Sequence, residues 1–565
     1  MHRVMKTVLP AVLALAALAA GCAQDMGTVD RTQQNITKKT DLLFHADGTR
    51  KEFFVKVTTI EAPYASAYSF PGNEGTMERG VFDIQENVLY FYRVYSFMDN
   101  EWSGTPRHDV DQKLANADGS DYLINGKEVW IDKNAPVLAY PIASHMDVIW
   151  EYNPNTGEKT NVKSENTSDR LWHEREYVRV NWGSNLANSM TGMFFGNSAS
   201  SPIVLMDQNA SAELESRITP ADGYMDFVND YIMGAQTEYL EGYGTIPLCW
   251  FYPWYAGGVY ECISEKVRTR TSFLAVDPAR EAQFYQWDRL DYNDHDMERF
   301  GYFRSERLRW DIDYGTTFGG IQRYANRHDI WQRDESGAII GVKPIVYHLT
   351  EGYPANLVQA SLDMAEQWSV AFDATVKSVT GKDPIEFPAY DRYGKPTGTS
   401  VQHMFLICEN NDAEAASHTA VTALTDPAIC GDMSQPKYLG DLRYNFVSSV
   451  NAPTQVGLYG YGPSSADPLS GRIVSATANV YVAAMHEGAQ RAMDRIELLS
   501  GIKSFREVAD AKYIADDVRA ERLKQSTYWK SGFTNEEADA VVSKLVAPEV
   551  QSSLTATAPV RTDQN

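Results

Sequence analysis

The chain has 565 residues, 43% of them apolar and 22% charged, and its formal net charge is −24. At that size about two to four domains and a substantial core are expected. The acidic residues are not confined to one tail, which disfavours nucleic acid as a partner, because phosphate recognition needs a basic surface.

The N-terminus reads as an export signal. Arg3 and Lys6 supply positive charge ahead of an apolar run from Val8 to Ala20. Ala19-Ala20-Gly21-Cys22 follows. Small residues before a cysteine resemble the lipobox of bacterial lipoproteins, although Ala19 stands where Leu is commoner. The resemblance implies cleavage before Cys22, acylation of its thiol and a lipid anchor that ties the chain to the membrane of the cell envelope. Ala23 in the next position implies outer-membrane sorting. The alternative is a plain secretory signal. No later apolar run approaches about 18 residues, so no other segment is expected to span a membrane.

Residues 1–22 are therefore read as a lipoprotein signal peptide, and the polar residues 23–39 as a tether. Residues 40–338 read as β-rich. Asp41 to His45 and Lys51 to Val57 look like strands around an Asp47-Gly48 turn, and Asn87 to Phe97 is an aromatic strand run. Asn125-Gly126 marks a hairpin between Tyr122-Leu-Ile and Lys127-Glu-Val-Trp-Ile. Asn153 to Gly157 is a turn, and Trp172 to Trp182 a strand with one wet face. Asp291, Asn293, Asp296 and Glu298 crowd oxygen ligands, as calcium requires. However, His295 and Asp296 occupy positions that a calcium loop gives to an oxygen ligand and a glycine, so a solvated loop is preferred, with Arg304, Arg307 and Arg309 near enough to pair with its acids.

Residues 339–501 alternate strand and helix, which argues for an α/β layer. Pro344 to Leu349, Met404 to Cys408 and Arg443 to Val450 read as strands. A helix starts at Tyr353-Pro354-Ala355, with Leu357, Ala360, Met364, Trp368, Ala371, Phe372 and Val376 as its buried stripe. After a turn cluster around Asp467-Pro468, Arg472 to Thr477 reads as a strand. A second helix follows, its apolar face drawn by Val482, Met485, Ala489, Ala492, Met493, Ile496 and Leu499, with Gly501 as a left-handed cap. Residues 502–546 read as helical, with a capping box at Thr534 and Glu537, and residues 547–565 as a disordered tail. The fold class is α+β, β-rich first and α/β afterwards, with helices at the C-terminus.

Four cysteines remain after Cys22: Cys249, Cys262, Cys408 and Cys430. An even count in an exported chain suggests disulfides, and the sequence-local pairing Cys249–Cys262 with Cys408–Cys430 closes the shortest loops. The alternative is four buried thiols. None is spaced for zinc.

The order Pro344-Ile-Val-Tyr-His-Leu349, a helix with central Trp368, Asp441-Leu-Arg-Tyr-Asn-Phe446, then Gly460-Tyr-Gly-Pro-Ser-Ser-Ala-Asp-Pro-Leu-Ser-Gly-Arg-Ile473 resembles bacterial lipoproteins of a zinc-dependent metalloprotease family with a metzincin-like, EcxA-type zinc-binding domain. The resemblance covers roughly residues 140–501. It implies an incomplete metzincin-like domain, zinc as the family cofactor, peptide-bond hydrolysis in the family, and a protein or peptide as substrate or partner.

The zinc motif itself is not carried over. A zinc helix places two histidines four apart with a glutamate between them. His486-Glu487-Gly-Ala-Gln490 has an amide in place of the second histidine, and no two of the eleven histidines are four apart. His486 is read first as an ordinary helix residue. Three readings stay open: the front portion of a longer protease, a non-catalytic surface lipoprotein that binds protein or glycan on a protease-derived scaffold, and a degenerate metal site at His486 and Glu487. If the domain is cut short, the strand end Asp467 to Thr477 is expected to lie exposed.

Overall fold

The computed structural model describes residues 27–504, apart from 34, 64–68, 96–97, 100–110, 188–202, 206–216, 234–236, 241, 243, 248–264, 310–320 and 455–456. Among these residues the architecture is mixed α+β, with a large curled N-terminal sheet followed by a smaller sheet with helices. Residues up to Ala483 form one compact unit and those from Ala484 a second.

The N-terminal sheet has twelve strands. Its centre runs Pro136–Tyr152, Val88–Arg93, Glu78–Ile84, Phe53–Glu61, Glu265–Ala275 and Tyr224–Met233, each antiparallel to the next. Pro136–Tyr152 is long enough to pair with Val88–Arg93 in its first half and with Lys159–Asn166 in its second. Period-two alternation turns one set of side chains inward. These form an aromatic core in which Phe82 meets Phe91 at 5.1 Å and Phe273 at 5.2 Å, and Tyr140 meets Trp182 at 5.2 Å between ring centres. Ring pairs at such spacings add to the burial of their large apolar area.

Several local expectations are met. Asn125 and Gly126 both have positive φ, 49° and 78°, as a two-residue hairpin turn of this hand requires. The 153–157 turn joins paired strands. Others need correction. Asp41 to Leu43 belongs to a short helix, Lys39–Leu43, rather than a strand, and only an isolated bridge between Phe44 and Arg50 remains of the expected hairpin. Of Trp172 to Trp182, only Tyr177–Val180 is strand. In the segment read as a tether, Ile36–Lys38 pairs with Tyr177–Arg179.

The second sheet holds four parallel strands in the order Phe405–Cys408, Ile345–Leu349, Asn445–Val450, Ile473–Tyr481. Two short segments, Gly460–Tyr461 and Ser464–Ala466, run antiparallel to the last strand. The helix Ala355–Thr380 covers one face, over Ile345, Tyr347, Leu349, Phe405 and Ile407. Its buried residues are Val358, Ser361, Ala365, Ser369 and Val376, whereas Ala360 is exposed and Trp368 is 53% exposed. The seat is made of small residues because the helix lies close to an edge strand: Ser369 Oγ donates to the Phe405 carbonyl at 2.9 Å and accepts from its N–H at 3.2 Å. A buried serine satisfied in this way carries little penalty.

The strand end Asp467 to Thr477 is not exposed. Asp467 is fully buried and Ile473–Tyr481 is mostly so. Asp467 holds its own turn, accepting from Leu469 N and Ser470 Oγ, each at 3.0 Å. The same carboxylate pairs with Arg79, which pairs with Glu52 at 2.5 Å. Arg472 pairs with buried Glu281. Both guanidinium groups lie 5.7 Å from the ring of Phe54. Gly471 has φ 76°, and a Cβ there would lie 2.5 Å from the Ala325 carbonyl oxygen. This ionic knot fastens the turn to the N-terminal sheet and to the helix Pro278–Trp287.

In the second unit the described residues form the rest of the helix Val482–Leu499 and the turn after it, with Gly501 at φ 73°. Met485, Met493, Ile496 and Leu499 are 48%, 49%, 59% and 72% exposed. Of the stripe read as a buried face, Val482 is buried and the rest is open among the described residues.

Candidate functional site

Among the described residues, no further metal-ligating group joins His486 and Glu487 on the helix with the degenerate motif. His486 is exposed. Glu487 pairs with Arg491, and Gln490 donates to Asp494 at 3.0 Å. A carboxylate held by arginine and an amide held by aspartate do not fit a zinc ligand set. The acidic loop is also occupied with local tasks. Asn293 caps the short helix Asp294–Phe300 by accepting from Asp296 N at 3.0 Å, Asp291 lies exposed 3.8 Å from Arg289, and Glu298 is exposed on the helix. Among the described residues no group of three or more His, Cys, Asp or Glu side chains is placed to hold a metal ion. Cys22, Cys249 and Cys262 lie outside the described residues. Cys408 and Cys430 form a buried disulfide.

A different place collects charge. A cavity of about 460 Å³ opens beside the parallel sheet, lined by the strand starts Ile345, Asn445 and Ile473. Its walls come from four further parts: the helix Pro278–Trp287 through Arg280, the segment His328-Asp329, the tight turn Asp391-Arg-Tyr-Gly394-Lys-Pro396, and the short helix Pro427–Cys430. The turn is fixed by its own sequence. Asp391 Oδ1 accepts from Tyr393 N and Lys395 N, and Gly394 takes φ 81°. The disulfide ties the Pro427–Cys430 wall to the strand Phe405–Cys408.

Arg392 projects from that turn under the sheet. Its Nη1 donates to the Arg443 carbonyl at 2.5 Å and its Nη2 to the Val474 carbonyl. Its Nε is enclosed and has no hydrogen-bond partner. Among the described residues no carboxylate forms an ion pair with it: the nearby Asp441 is taken by Arg443 at 2.7 Å. Burial pulls the Arg392 guanidinium below its ordinary value, and the neighbouring cations Arg280 and Arg472 pull the same way. On the opposite wall, Asp329 accepts from Lys343 at 2.7 Å and from Arg280 at 3.0 Å, so two cations share one carboxylate. One positive charge is left over there and a second on Arg392. Buried charges are normally paired, because removing an ion from water costs several kcal/mol. Two uncompensated cationic centres around one cavity, in a chain of net charge −24, form a place for an anion.

Two imidazoles line the same cavity. His348 is buried, with Nδ1 3.2 Å from the Glu409 carbonyl, and burial followed by Lys437 pushes it down to about 3. His328 is partly buried and held down to about 4 by burial and then by Arg392. Tyr390, Tyr393 and Tyr444 add aromatic surface.

Sequence reasoning missed this cavity. The turn signal in Asp391 to Pro396 was legible, but an arginine inside a polar turn reads as solvated. No family model, no curated protein and no solved structure matches the chain.

Proposed function

We propose that the chain is a lipid-anchored protein of the cell envelope that binds a small anionic ligand in the Arg392 cavity, without hydrolysing it, on a scaffold related to zinc-dependent metalloproteases. The observation that carries this reading is the enclosed Arg392 guanidinium with no carboxylate partner. An anion seated against it supplies the missing counter-charge. The volume suits a small molecule, and the tyrosines offer its body an apolar wall. The lipobox-like sequence ending in Cys22 supports the anchor. The run of parallel strands with a long helix after the first, and antiparallel edge segments before the last, supports the scaffold relationship.

The test is calorimetry on protein lacking residues 1–22, titrated with sulfate at fixed ionic strength. Saturable binding of one sulfate per chain, at least tenfold weaker in Arg392→Gln, is expected. Equal affinity in both proteins would sink the reading. Zinc content and casein cleavage with and without chelator are measured on the same sample, and chelator-sensitive cleavage would overturn the non-catalytic part.

A second reading, that the chain is the front portion of a longer protease, rests on the family resemblance of residues 140–501 without an H-E-x-x-H helix in the sequence. Coding sequence beyond Asn565 with an H-E-x-x-H helix would establish it.

A further inference from the structure

We propose that the Arg392 cavity takes a small dianion together with one proton, which settles on His328; the shared chemistry is two negative charges, carried either by one sulfate-like group or by a dicarboxylate. The inference rests on the anion-binding reading and deepens it.

Two negative charges follow from the count of positive ones. Arg443 is matched by Asp441 and Arg472 by Glu281. Arg280 and Lys343 share Asp329, Arg392 has backbone carbonyls alone, and the remaining lining charges, Lys395 and Asp391 of the same turn, offset each other. A monoanion would leave one of these centres uncompensated in a partly enclosed space. A dianion neutralises both.

The proton follows from the surroundings of His328. Among the described residues neither of its ring nitrogens has a hydrogen-bond partner; its contact is the ring of Tyr347, 6.5 Å away. Every element packed about it presents charge or a titratable group. Arg392 comes from the tight turn, with Asp391 and Lys395 beside it. Arg280 and Glu281 come from the helix Pro278–Trp287, Lys343 and His348 from the strand region, and Arg472 from the turn before the last strand. Asp329, its chain neighbour, is already shared by two cations. Burial and then Arg392 keep the imidazole neutral. A dianion reverses the sign of the field at that ring. The imidazole then gains an N–H, with the proton drawn from solvent, and has an acceptor for it in the ligand. His348 does not compete: its Nδ1 is turned to the Glu409 carbonyl and Lys437 lies near it.

The experiment is calorimetry of the protein lacking residues 1–22, at pH 5.5, 6.5 and 7.5, in buffers of different ionisation enthalpy. Sulfate probes the tetrahedral arm, fumarate the dicarboxylate arm, and acetate is the monoanion control. Sulfate stays fully ionised over this range; the small monoprotonated fraction of fumarate at pH 5.5 is subtracted from its proton count. For the preferred dianion, affinity is expected to rise as pH falls, by at most about tenfold per unit, with proton uptake approaching one per ligand. In His328→Asn the affinity ratio between pH 5.5 and 7.5 should fall to about one. Nuclear magnetic resonance of the histidine rings in the unmodified protein gives an independent reading: saturating ligand should raise the titration midpoint of His328 and leave His348 in place. Tight binding without proton uptake would overturn the proton coupling and leave the anion site standing. Acetate binding as tightly as either dianion would overturn the charge count. No binding by any of the three would remove both inferences.

Discussion

Arg79 Nη1 donates to Asp467 Oδ2 at 3.0 Å, joining residues 388 positions apart in the chain. Both side chains are buried, and the carboxylate also holds the turn that leads into the last parallel strand. Asp467→Asn keeps the shape, halves the turn's acceptors and leaves Arg79 with Glu52 alone. Breaking one partner of a buried pair costs about 3 kcal/mol or more. Urea denaturation of the variant should show a loss of about 3 kcal/mol with an unchanged slope; a loss below about 1 kcal/mol would mean that the knot is not a cohesive element.

Stability should fall on both sides of neutrality, through different histidines. His418 donates Nε2 to the Tyr353 carbonyl at 3.0 Å, and its Nδ1 lies 3.0 Å from the Glu409 carboxylate. Burial works against the charge, but the hydrogen bond to Glu409 prevails and raises it above 6.5. The folded state thus holds this proton more tightly than the unfolded chain. Its contribution is complete below 6.5 and is lost as pH rises through the folded-state value. His328 and His348 have the opposite sign, with folded-state values of about 4 and about 3. Their contribution is complete above 6.5 and is lost as pH falls towards those values, at up to ~1.4 kcal/mol per unit for each. Denaturation in sulfate-free buffer from pH 5 to 8.5 should give a maximum near neutrality. His418→Gln should flatten the alkaline limb and His348→Asn the acid limb.

The disulfide closes a loop between residues 22 apart. On the chain-entropy account, its removal costs about 3 kcal/mol. Cys430 also lines the cavity. The variant with Cys408 and Cys430 both changed to Ser should therefore lose stability by about that amount and bind sulfate more weakly than the oxidised protein. Lost stability with unchanged affinity would separate the wall from the ligand.

His486→Ala should change neither the zinc content of the purified protein nor its stability beyond about 0.5 kcal/mol, because the side chain is exposed. A stoichiometric metal lost in this variant would restore the degenerate zinc site.

The parts of this fold that the sequence disclosed are those governed by local rules. The apolar run Pro344 to Leu349 and the Asn125-Gly126 turn are set by burial and by φ, and both carry their cause in adjacent residues. The seat of the helix Ala355–Thr380 is legible at Val376 and in part at Leu357, Met364 and Phe372, whereas Ala360 and Trp368 are exposed and Ser361 and Ser369 take the buried places, since a Trp outweighs a Ser in any apolar count. Ser361 and Ser369 are buried because of partners on Tyr353 and Phe405, which the helix sequence does not contain. Arg392 was illegible for the same reason. Its carbonyl partners lie 51 and 82 residues away, and nothing in Asp391 to Pro396 distinguishes an enclosed arginine from a solvated one.

The knot also sets a timetable. The aromatic core of the N-terminal sheet is complete once Phe273 has been made, yet Arg79 and Glu281 meet Asp467 and Arg472 only after nearly two hundred further residues have emerged. Glu74, paired locally with Lys56 at 2.8 Å, adds Ser465 and Thr477 from the same late segment, the latter 403 positions on. A chain emerging N-terminus first therefore holds Glu281 without Arg472, and Arg79 with Glu52 alone, until that late segment is made. Contacts of such long sequence separation form slowly. The final locking of the body is thereby left to the last-made part of the sheet-bearing unit.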